Sequence, residues 1–343
     1  MSTMVEQSPA VPADPPAAAT PKGSLLRAEL HRFRSRRFIQ LLFALLVVGW
    51  VVATVIGLLN FGTPTDADRA AAQAEIDQIL AEDARFQEQC RNDPTRPDDV
   101  PVELYCQGIN PDDLRVEDFV SKAPFDFAGA GIPGAVGFGA AAAVISFLIG
   151  ATWIGAEWSS RSIVALLFWV PSRLRVVAAK LGVLVLGAAL LGVLAQALWL
   201  AMAGILRLAV GTDDALPAGF WSDIVATQGR TVLLVVLTAL GGFGLANLVR
   251  NTGASLGIGF VYFAIVETAS RALMPAWEPW LLTNNAAGLL SPGGFTVFIF
   301  NQQNFGEPDQ YLITNLQGGL LLSGVVVVVV AIGVVLFAKR DLH

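Results

Sequence analysis

The chain has 343 residues, of which 54% are hydrophobic and only 15% are charged, and its formal net charge is −6. A soluble protein of this length needs more charged surface, so the composition points to lipid as the surrounding solvent. Nothing resembles a basic nucleic-acid footprint, and we expect no nucleic-acid partner. The acidic excess is local, because residues 61–131 hold 16 acidic and 6 basic residues.

Six apolar segments are each long enough to cross a bilayer, which takes roughly 20 helical residues. They lie at 38–60, 132–156, 176–206, 231–249, 253–274 and 318–338. The sequence therefore predicts an all-α integral membrane protein with six transmembrane helices. Residues 1–22, which are rich in Pro and Ala, are expected to be disordered. The first span is expected to stay as an anchor, since it is too long and too late for a secretory signal.

Lysine and arginine residues are concentrated in the two termini and in every second loop between the spans. With six spans, 13 basic residues share one side: Lys22, Arg27, Arg32, Arg34, Arg36, Arg37, Arg161, Arg173, Arg175, Lys180, Arg250, Lys339 and Arg340. Short basic loops stay in the cytoplasm. We therefore expect a multi-pass protein of the plasma (inner) membrane, with both termini cytoplasmic and a short tail at 339–343.

The acidic segment 61–131 then forms a mostly helical extracytoplasmic domain. Residues 66–89 read as a helix with Ile76, Ile79, Leu80 and Phe86 as its apolar stripe. Cys90 and Cys106 can pair in an oxidising compartment, which closes a loop of ~17 residues worth ~3 kcal/mol in the chain-entropy model. Two unrelated free thiols are the alternative. The acidic surface either attracts cationic peptides or drugs or is simply solvated.

The connection at 275–317 contains two apolar pieces that are too short to span. Residues 281–290 and 295–300 are separated by Pro292-Gly293-Gly294. Polar backbone at membrane depth needs protein or water around it. We predict two re-entrant half-helices that dip into the outer leaflet, with an ordinary surface loop as the alternative.

Few groups suited to covalent chemistry are present. The run Gly253-Ala254-Ser255-Leu256-Gly257 matches the G-x-S-x-G nucleophile pattern, but both histidines lie outside the spans, so a base is missing. We interpret this run as a small-xxx-small helix contact. Neither a metal-ligand cluster nor a P-loop occurs in the sequence. The chain itself is expected to be non-catalytic and to hold no metal or cofactor.

Glu267 and Arg271 are the only strongly intramembrane charges, and they lie four residues apart in the outer half of span five. Ionisable groups inside a membrane are functional candidates by default. A pair in this order on one helix also neutralises itself. Both interpretations stay open from the sequence.

Two segments are predicted to lie at the cytoplasmic surface. Residues 23–37 form an amphipathic interface helix, with Leu26, Leu30 and Phe33 as its apolar stripe and basic residues elsewhere around the axis. A plain basic flank is the alternative. In 157–175, a short helix with Ile163, Leu166 and Leu167 on its apolar face is ended by Pro171. This helix is either a lever for a cytoplasmic partner or an interfacial turn.

The pattern acid-x-x-x-R-S-I…L-L…P-S-R-x-R-x-x-x-A-K at Glu157–Lys180 resembles the loop after span two in type-2 ABC exporter permeases. The leader SLLRAELHRFRSRR and the ending FAKRDLH are similar to that family's surface helix and basic C-terminus. The loop after span one is longer here than is common in the family.

This resemblance implies a six-helix permease that acts as a homodimer, or with a closely related permease, on two cytoplasmic ATP-binding subunits. ATP and Mg would be bound by those partners. Residues 281–300 would be the paired re-entrant helices. The implied ATPase-coupling residues are Glu157, Arg161, Ile163, Leu167, Pro171, Arg173 and Arg175. The implied interface-helix residues are Arg27, Leu30, Arg34 and Arg37.

The favoured hypothesis is a permease that exports a hydrophobic or amphipathic compound, such as a drug, a peptide or a lipid-like molecule. A non-transporting sensor or regulatory protein, with the outer domain as its ligand-binding part, is the alternative. An intramembrane enzyme is disfavoured by the missing base.

Overall fold

A computed structural model of the chain describes residues 25–93, 101–169, 172–212, 215–299 and 308–339. The predicted tail 1–22, Pro171 and residues 340–343 lie outside the described residues. The first half contains α1 (Leu25–Ser35), α2 (Arg37–Asn60), α3 (Asp66–Arg91), the single turns α4 (Val102–Tyr105) and α5 (Val116–Phe119), α6 (Phe127–Ser159), α7 (Ser162–Trp169) and α8 (Arg173–Val210). A 3-10 turn, Pro111–Asp113, separates α4 from α5.

The second half starts with α9 (Phe220–Val249) and α10 (Thr252–Val261), which continues through a π-helical turn (Tyr262–Val266) into α11 (Glu267–Leu273). A 3-10 turn (Pro275–Trp280) leads to α12 (Leu282–Leu290). Strands β1 (Phe295–Ile299) and β2 (Asp309–Ile313) follow, and then α13 (Asn315–Lys339).

Six of the described helices are long and apolar enough to cross a membrane. They are α2, α6, α8, α9, the continuous helix from α10 to α11, and α13. This confirms the prediction of an all-α, multi-pass membrane protein. Most helices extend beyond the predicted apolar spans, and α9 begins at Phe220 rather than at residue 231. The extra turns carry polar residues, because a helix can continue into the headgroup region where its side chains meet water.

The centre of the bundle is the contact between α6 and α9. A Cβ atom on Gly150 would collide with the backbone carbonyl of Ala239, and one on Gly242 would collide with the carbonyl of Phe147. Ser146 joins the same two helices by donating to the Val235 carbonyl at 2.8 Å. Small residues let membrane helices approach closely, and dispersion contacts and hydrogen bonds then hold them together.

A small domain braced by a disulfide lies between α2 and α6. Thr65 and Asp68 form a capping box at the start of α3, and the Thr65 hydroxyl holds the pKa of Asp68 below its usual value. The predicted Cys90–Cys106 disulfide is present, with the two Cα atoms 5.8 Å apart. The predicted stripe was partly wrong, because Ile76 is buried while Phe86 is 61% exposed.

The prediction of paired half-helices was half wrong. Leu282–Leu290 is a helix, but Phe295–Ile299 is a strand that pairs antiparallel with Asp309–Ile313. The second piece, FTVFI, is rich in β-branched and aromatic residues, which favour a strand. Gly293 and Gly294 have φ values of +77° and +104°, so the turn after α12 uses conformations that suit only glycine.

The small-xxx-small interpretation of Gly253 and Gly257 was also wrong within one chain. A Cβ on Gly257 would meet open space, and one on Gly253 would meet only the nearby Asn251 side chain. The glycine of α10 that does face another helix is Gly259, which lies against Phe147. Ser255 donates to the Thr252 carbonyl at 2.8 Å, so its hydroxyl serves the local helix.

The substitution Gly150→Ala tests the close approach of α6 to α9. We expect it to lower the free energy of unfolding by about 1–3 kcal/mol, because the methyl group forces two backbones apart. Gly137→Ala is the matched control on the same helix, since a Cβ there meets nothing within 4 Å. Thermal unfolding of both purified variants in detergent measures the difference, and equal midpoints would contradict this account of the packing.

Candidate functional site at the basic end of the bundle

A buried ionic cluster lies at the end of the bundle that carries α1 and α7, which we call the basic end. Lys180 Nζ lies 2.8 Å from Glu29 Oε2 and 2.8 Å from Glu157 Oε1. Arg36 Nη2 lies 2.7 Å from the same Glu157 oxygen. Lys180 and Glu29 are fully buried, and Glu157 is 5% exposed. One lysine therefore bridges two carboxylates inside a largely apolar bundle.

Trp153 of α6 forms the aromatic wall of this cluster. Its ring centroid lies 4.4 Å from Arg36 Cζ and 4.8 Å from Lys180 Nζ, distances at which cation–π attraction operates. Phe33 meets the same ring edge to face at 5.2 Å. Arg36 also donates to the backbone carbonyls of Thr152 and Trp153 at 3.2 and 3.0 Å. The cluster thus ties α1, the start of α2, the end of α6 and α8 into one unit.

Charge balance within the cluster explains how it tolerates burial. Two carboxylates, Glu29 and Glu157, face Arg36, Lys180 and the partly exposed Arg32, which binds Glu29 at 3.1 Å. Burial lowers the pKa of Arg36, and the neighbouring Glu157 acts in the opposite direction. A guanidinium stays protonated in proteins, so Arg36 remains a cation. Breaking such a network would strand a buried charge at high cost.

The predicted coupling residues divide into buried and exposed groups. Ile163 is fully buried and Leu167 is 9% exposed, so both seat α7 on the bundle and present no surface to a partner. Glu157 is buried in the ionic cluster. Arg161 is exposed, with a φ of +56° that lets the chain turn sharply from α6 into α7. Phe168 is 85% exposed on the outer side of α7, and the sequence argument missed it.

The two arginines after α7 have different environments. Arg173 Nη1 donates to the carbonyls of Phe337 and Ala338 at 3.2 and 3.3 Å. These carbonyls belong to the last turn of α13, where a cation satisfies unpaired acceptors and complements the helix dipole. Arg175 is exposed. Arg173 therefore joins the start of α8 to the end of α13.

Helix α1 packs on the bundle through Glu29 and Phe33, and the other two residues of its predicted apolar stripe stay exposed. Leu26 and Leu30 are 53% and 43% exposed, whereas Glu29 and Phe33 are buried. The predicted basic residues Arg27, Arg34 and Arg37 are exposed. Glu29 was missed because an acidic residue in a basic helix looks like surface. The sequence did offer one indication of a buried ion pair: Glu157 and Lys180 lie next to apolar spans, where each charge needs an oppositely charged partner.

The pair of Glu267 and Arg271 lies at the opposite end and joins two segments. Glu267 is fully buried, and its Oε1 accepts a hydrogen bond from the Thr283 backbone N–H at 3.1 Å. The Thr283 hydroxyl donates to Glu267 Oε2, and Arg271 binds Glu267 at 3.3 Å. Arg271 also donates to Thr283 and, at 3.3 Å, to Asn284. The carboxylate thus caps the N-terminus of α12, where a negative charge is favourable.

The π-helical turn Tyr262–Val266 directly precedes Glu267. One residue more per turn changes which side of a helix the following residues face, and such turns are frequent at functional sites. Self-neutralisation within one helix is therefore an incomplete account of this pair. The two side chains fasten the short helix α12 to the fifth span.

Comparisons of the chain with protein-family models, with curated proteins and with solved structures found no match.

Replacing Lys180 with methionine tests the ionic cluster. We expect Lys180→Met to lower the free energy of unfolding by about 3–5 kcal/mol, because it leaves two buried carboxylates short of a cation. Adding Glu29→Gln should recover part of that loss, since it removes one stranded charge. Thermal unfolding in detergent measures both effects. Lys122→Met removes an exposed lysine and serves as the control, and equal midpoints for the two single variants would refute the account.

Neutralising Glu267 tests its role as a cap for α12. Glu267→Gln removes the charge from the hydrogen bonds to Thr283, so we expect amide hydrogen exchange at the start of α12 to accelerate by about tenfold. Glu278→Gln is the control, because the Glu278 side chain makes no hydrogen bond to another described residue. Exchange rates that rise equally in both variants would rule out a specific cap.

Proposed function

We propose that this chain is the membrane-spanning permease subunit of an ATP-driven exporter of the type-2 ABC class. In this proposal it lies in the plasma (inner) membrane with both termini in the cytoplasm. Two copies of a separate cytoplasmic subunit would bind ATP and Mg. The exported compound would be hydrophobic or amphipathic.

The observation that carries this proposal is the position of the ionic cluster beside α7. Helix α7 is joined to α6 by the turn at Arg161, and Glu157 lies one turn before that point. Glu157 in turn contacts Arg36 at the start of α2 and Lys180 of α8. A displacement of α7 would therefore reach three spans through charged, buried contacts. A transporter that is driven from one side of the membrane needs such a rigid connection.

The exposed side of α7 supplies a docking surface for the ATP-binding subunit. The buried side chains of Ile163 and Leu167 hold α7 against the bundle. Phe168 and the preceding Arg161 are exposed. Exposed aromatic and arginine side chains are the types enriched at the energetic centre of protein interfaces. The surface is small, as expected for one short helix that inserts into a cleft of the partner.

The exposed face of the fifth span could contact a second copy of the permease. Only 11% of the apolar window in the fifth span is buried, compared with 50% in α9. Gly253 and Gly257 meet no other described helix, so this face is open to lipid or to another copy. In the proposal, the transported compound moves along the interface between two permeases.

Copurification with an ATP-binding protein tests the proposal. We expect a nucleotide-binding subunit encoded beside this chain to copurify with it, and Phe168→Glu to weaken that complex by about thirtyfold, as loss of a hot-spot residue costs ~2 kcal/mol. Leu208→Glu is the matched control, because Leu208 is 92% exposed at the opposite end of α8. Both variants should unfold at the wild-type temperature.

Two results would count against the proposal. One is the absence of any ATP-binding partner, which would favour a sensor that uses the disulfide-braced domain to bind a ligand. The other is equal loss of the complex with Phe168→Glu and Leu208→Glu, which would show that α7 has no special part in docking.

A further inference from the structure

A cavity of about 580 Å³ opens next to the ionic cluster, between α1, the end of α6 and α7. Its volume is within the range of roughly 300–1,000 Å³ that is typical of small-molecule sites. The cavity is lined by Arg32, Ser35, Arg36, Glu157, Ser162, Ala165 and Leu166. The charged groups come from α1, from Arg36 before α2 and from α6, and the apolar groups belong to α7, which also contributes Ser162.

The position of the cavity, at the ends of two membrane-spanning helices, points to a lipid headgroup as its occupant. Arg36 immediately precedes the first membrane-spanning helix, and Glu157 lies in the last turn of the second. Residues at the ends of spans lie among headgroups, where lipid phosphates are the most abundant anions. A phosphodiester can therefore reach this cavity without leaving the bilayer.

The basic wall of the cavity suits a phosphate group. Arg32 has a side chain that is 49% exposed, and its one hydrogen bond to another described residue goes to Glu29. The Arg36 side chain is 25% exposed. Guanidinium groups bind phosphate oxygens through paired, charge-assisted hydrogen bonds. Ser35 and Ser162 also line the cavity, but the Ser35 hydroxyl donates to the Arg32 carbonyl at 3.1 Å and the Ser162 hydroxyl lies 2.9 Å from that of Ser160.

The acidic wall selects among phospholipids. Glu157 Oε2 is buried and has no hydrogen-bond partner among the described residues, although Oε1 accepts from two cations. A buried acceptor without a donor is costly, so a ligand that supplies one gains affinity. A primary ammonium supplies a charged donor, a glycerol headgroup supplies only neutral hydroxyls, and a quaternary ammonium supplies no donor.

We propose that this cavity binds the headgroup of phosphatidylethanolamine. The phosphodiester contacts Arg32 and Arg36, and the ammonium group points toward Glu157. Ala165 and Leu166 of α7 contact the first methylene groups of the lipid. The bound lipid fills the space between α1 and α7, so it links α7 to the membrane surface.

Lipid retention by the purified full-length chain tests this assignment. The delipidated protein is mixed with equal amounts of phosphatidylethanolamine, phosphatidylglycerol and phosphatidylcholine, and bound lipid is counted by native mass spectrometry. We expect phosphatidylethanolamine to exceed phosphatidylcholine by about tenfold or more, the worth of one charge-assisted hydrogen bond, with phosphatidylglycerol between them.

Two variants remove the site by independent means. Arg32→Gln removes the most exposed phosphate donor, and Ala165→Trp fills the cavity without changing its charge. Each should reduce retained phosphatidylethanolamine about tenfold. Arg34→Gln removes an equal charge from the same helix outside the cavity and should leave retention unchanged. Unfolding temperatures show that all three variants are folded.

Equal retention of the three lipids, or a preference for phosphatidylglycerol or phosphatidylcholine, would overturn the assignment. So would equal retention by Ala165→Trp and Arg34→Gln. The measurement needs no ATP-binding partner. A failed copurification therefore leaves this result interpretable, and a failed lipid test leaves the proposed function open to its own experiment.

Discussion

Lys180 lies between Glu29 and Glu157, and this buried contact determines how the basic end of the molecule is built. A charge taken out of water loses several kcal/mol of solvation, so it must be neutralised inside the protein. The three groups come from three different helices, and Arg36 adds a fourth element. Because each charge needs the others, these helices cannot shift independently without exposing an unpaired ion.

This constraint is what would give α7 a mechanical role in the proposed docking. Helix α7 is short and apolar. Ile163 and Leu167 hold it in place, while the turn at Arg161 connects it directly to the helix that carries Glu157. Force applied to the exposed side of α7 would thus act on the ionic cluster. The proposed lipid site borders the same contact, so membrane composition and partner docking would act on one junction.

The opposite end of the molecule uses the same principle with different parts. Glu267 is buried and satisfied by an arginine, a hydroxyl and a backbone N–H at the start of α12. That arrangement fastens a short helix that could not cross the membrane alone. Between the two ends, α6 and α9 pack through glycines such as Gly150, with no charge involved. The bundle therefore has a tightly packed apolar centre and a polar clamp near each surface.

Composition and periodicity alone indicated the membrane class, the six spans and the helix at 66–89, and they left the pairing of Cys90 with Cys106 as one of two alternatives. These features depend on properties that a sequence carries locally: the length of apolar runs, the spacing of side chains and the shortage of other cysteines. The stretch 295–299 was misread, because so short a run of mostly apolar residues has no period that separates a strand from a helix.

Only the tertiary structure decided what the charged residues do. Glu29 and Lys180 are 151 positions apart, and nothing in the local sequence of either indicates the other. On α1, Glu29 and Phe33 are buried against the bundle, whereas Leu26 and Leu30 are exposed. Apolar periodicity predicts which elements form. The partner of a buried ion depends on how the helices are arranged in space, and that arrangement is a property of the whole bundle.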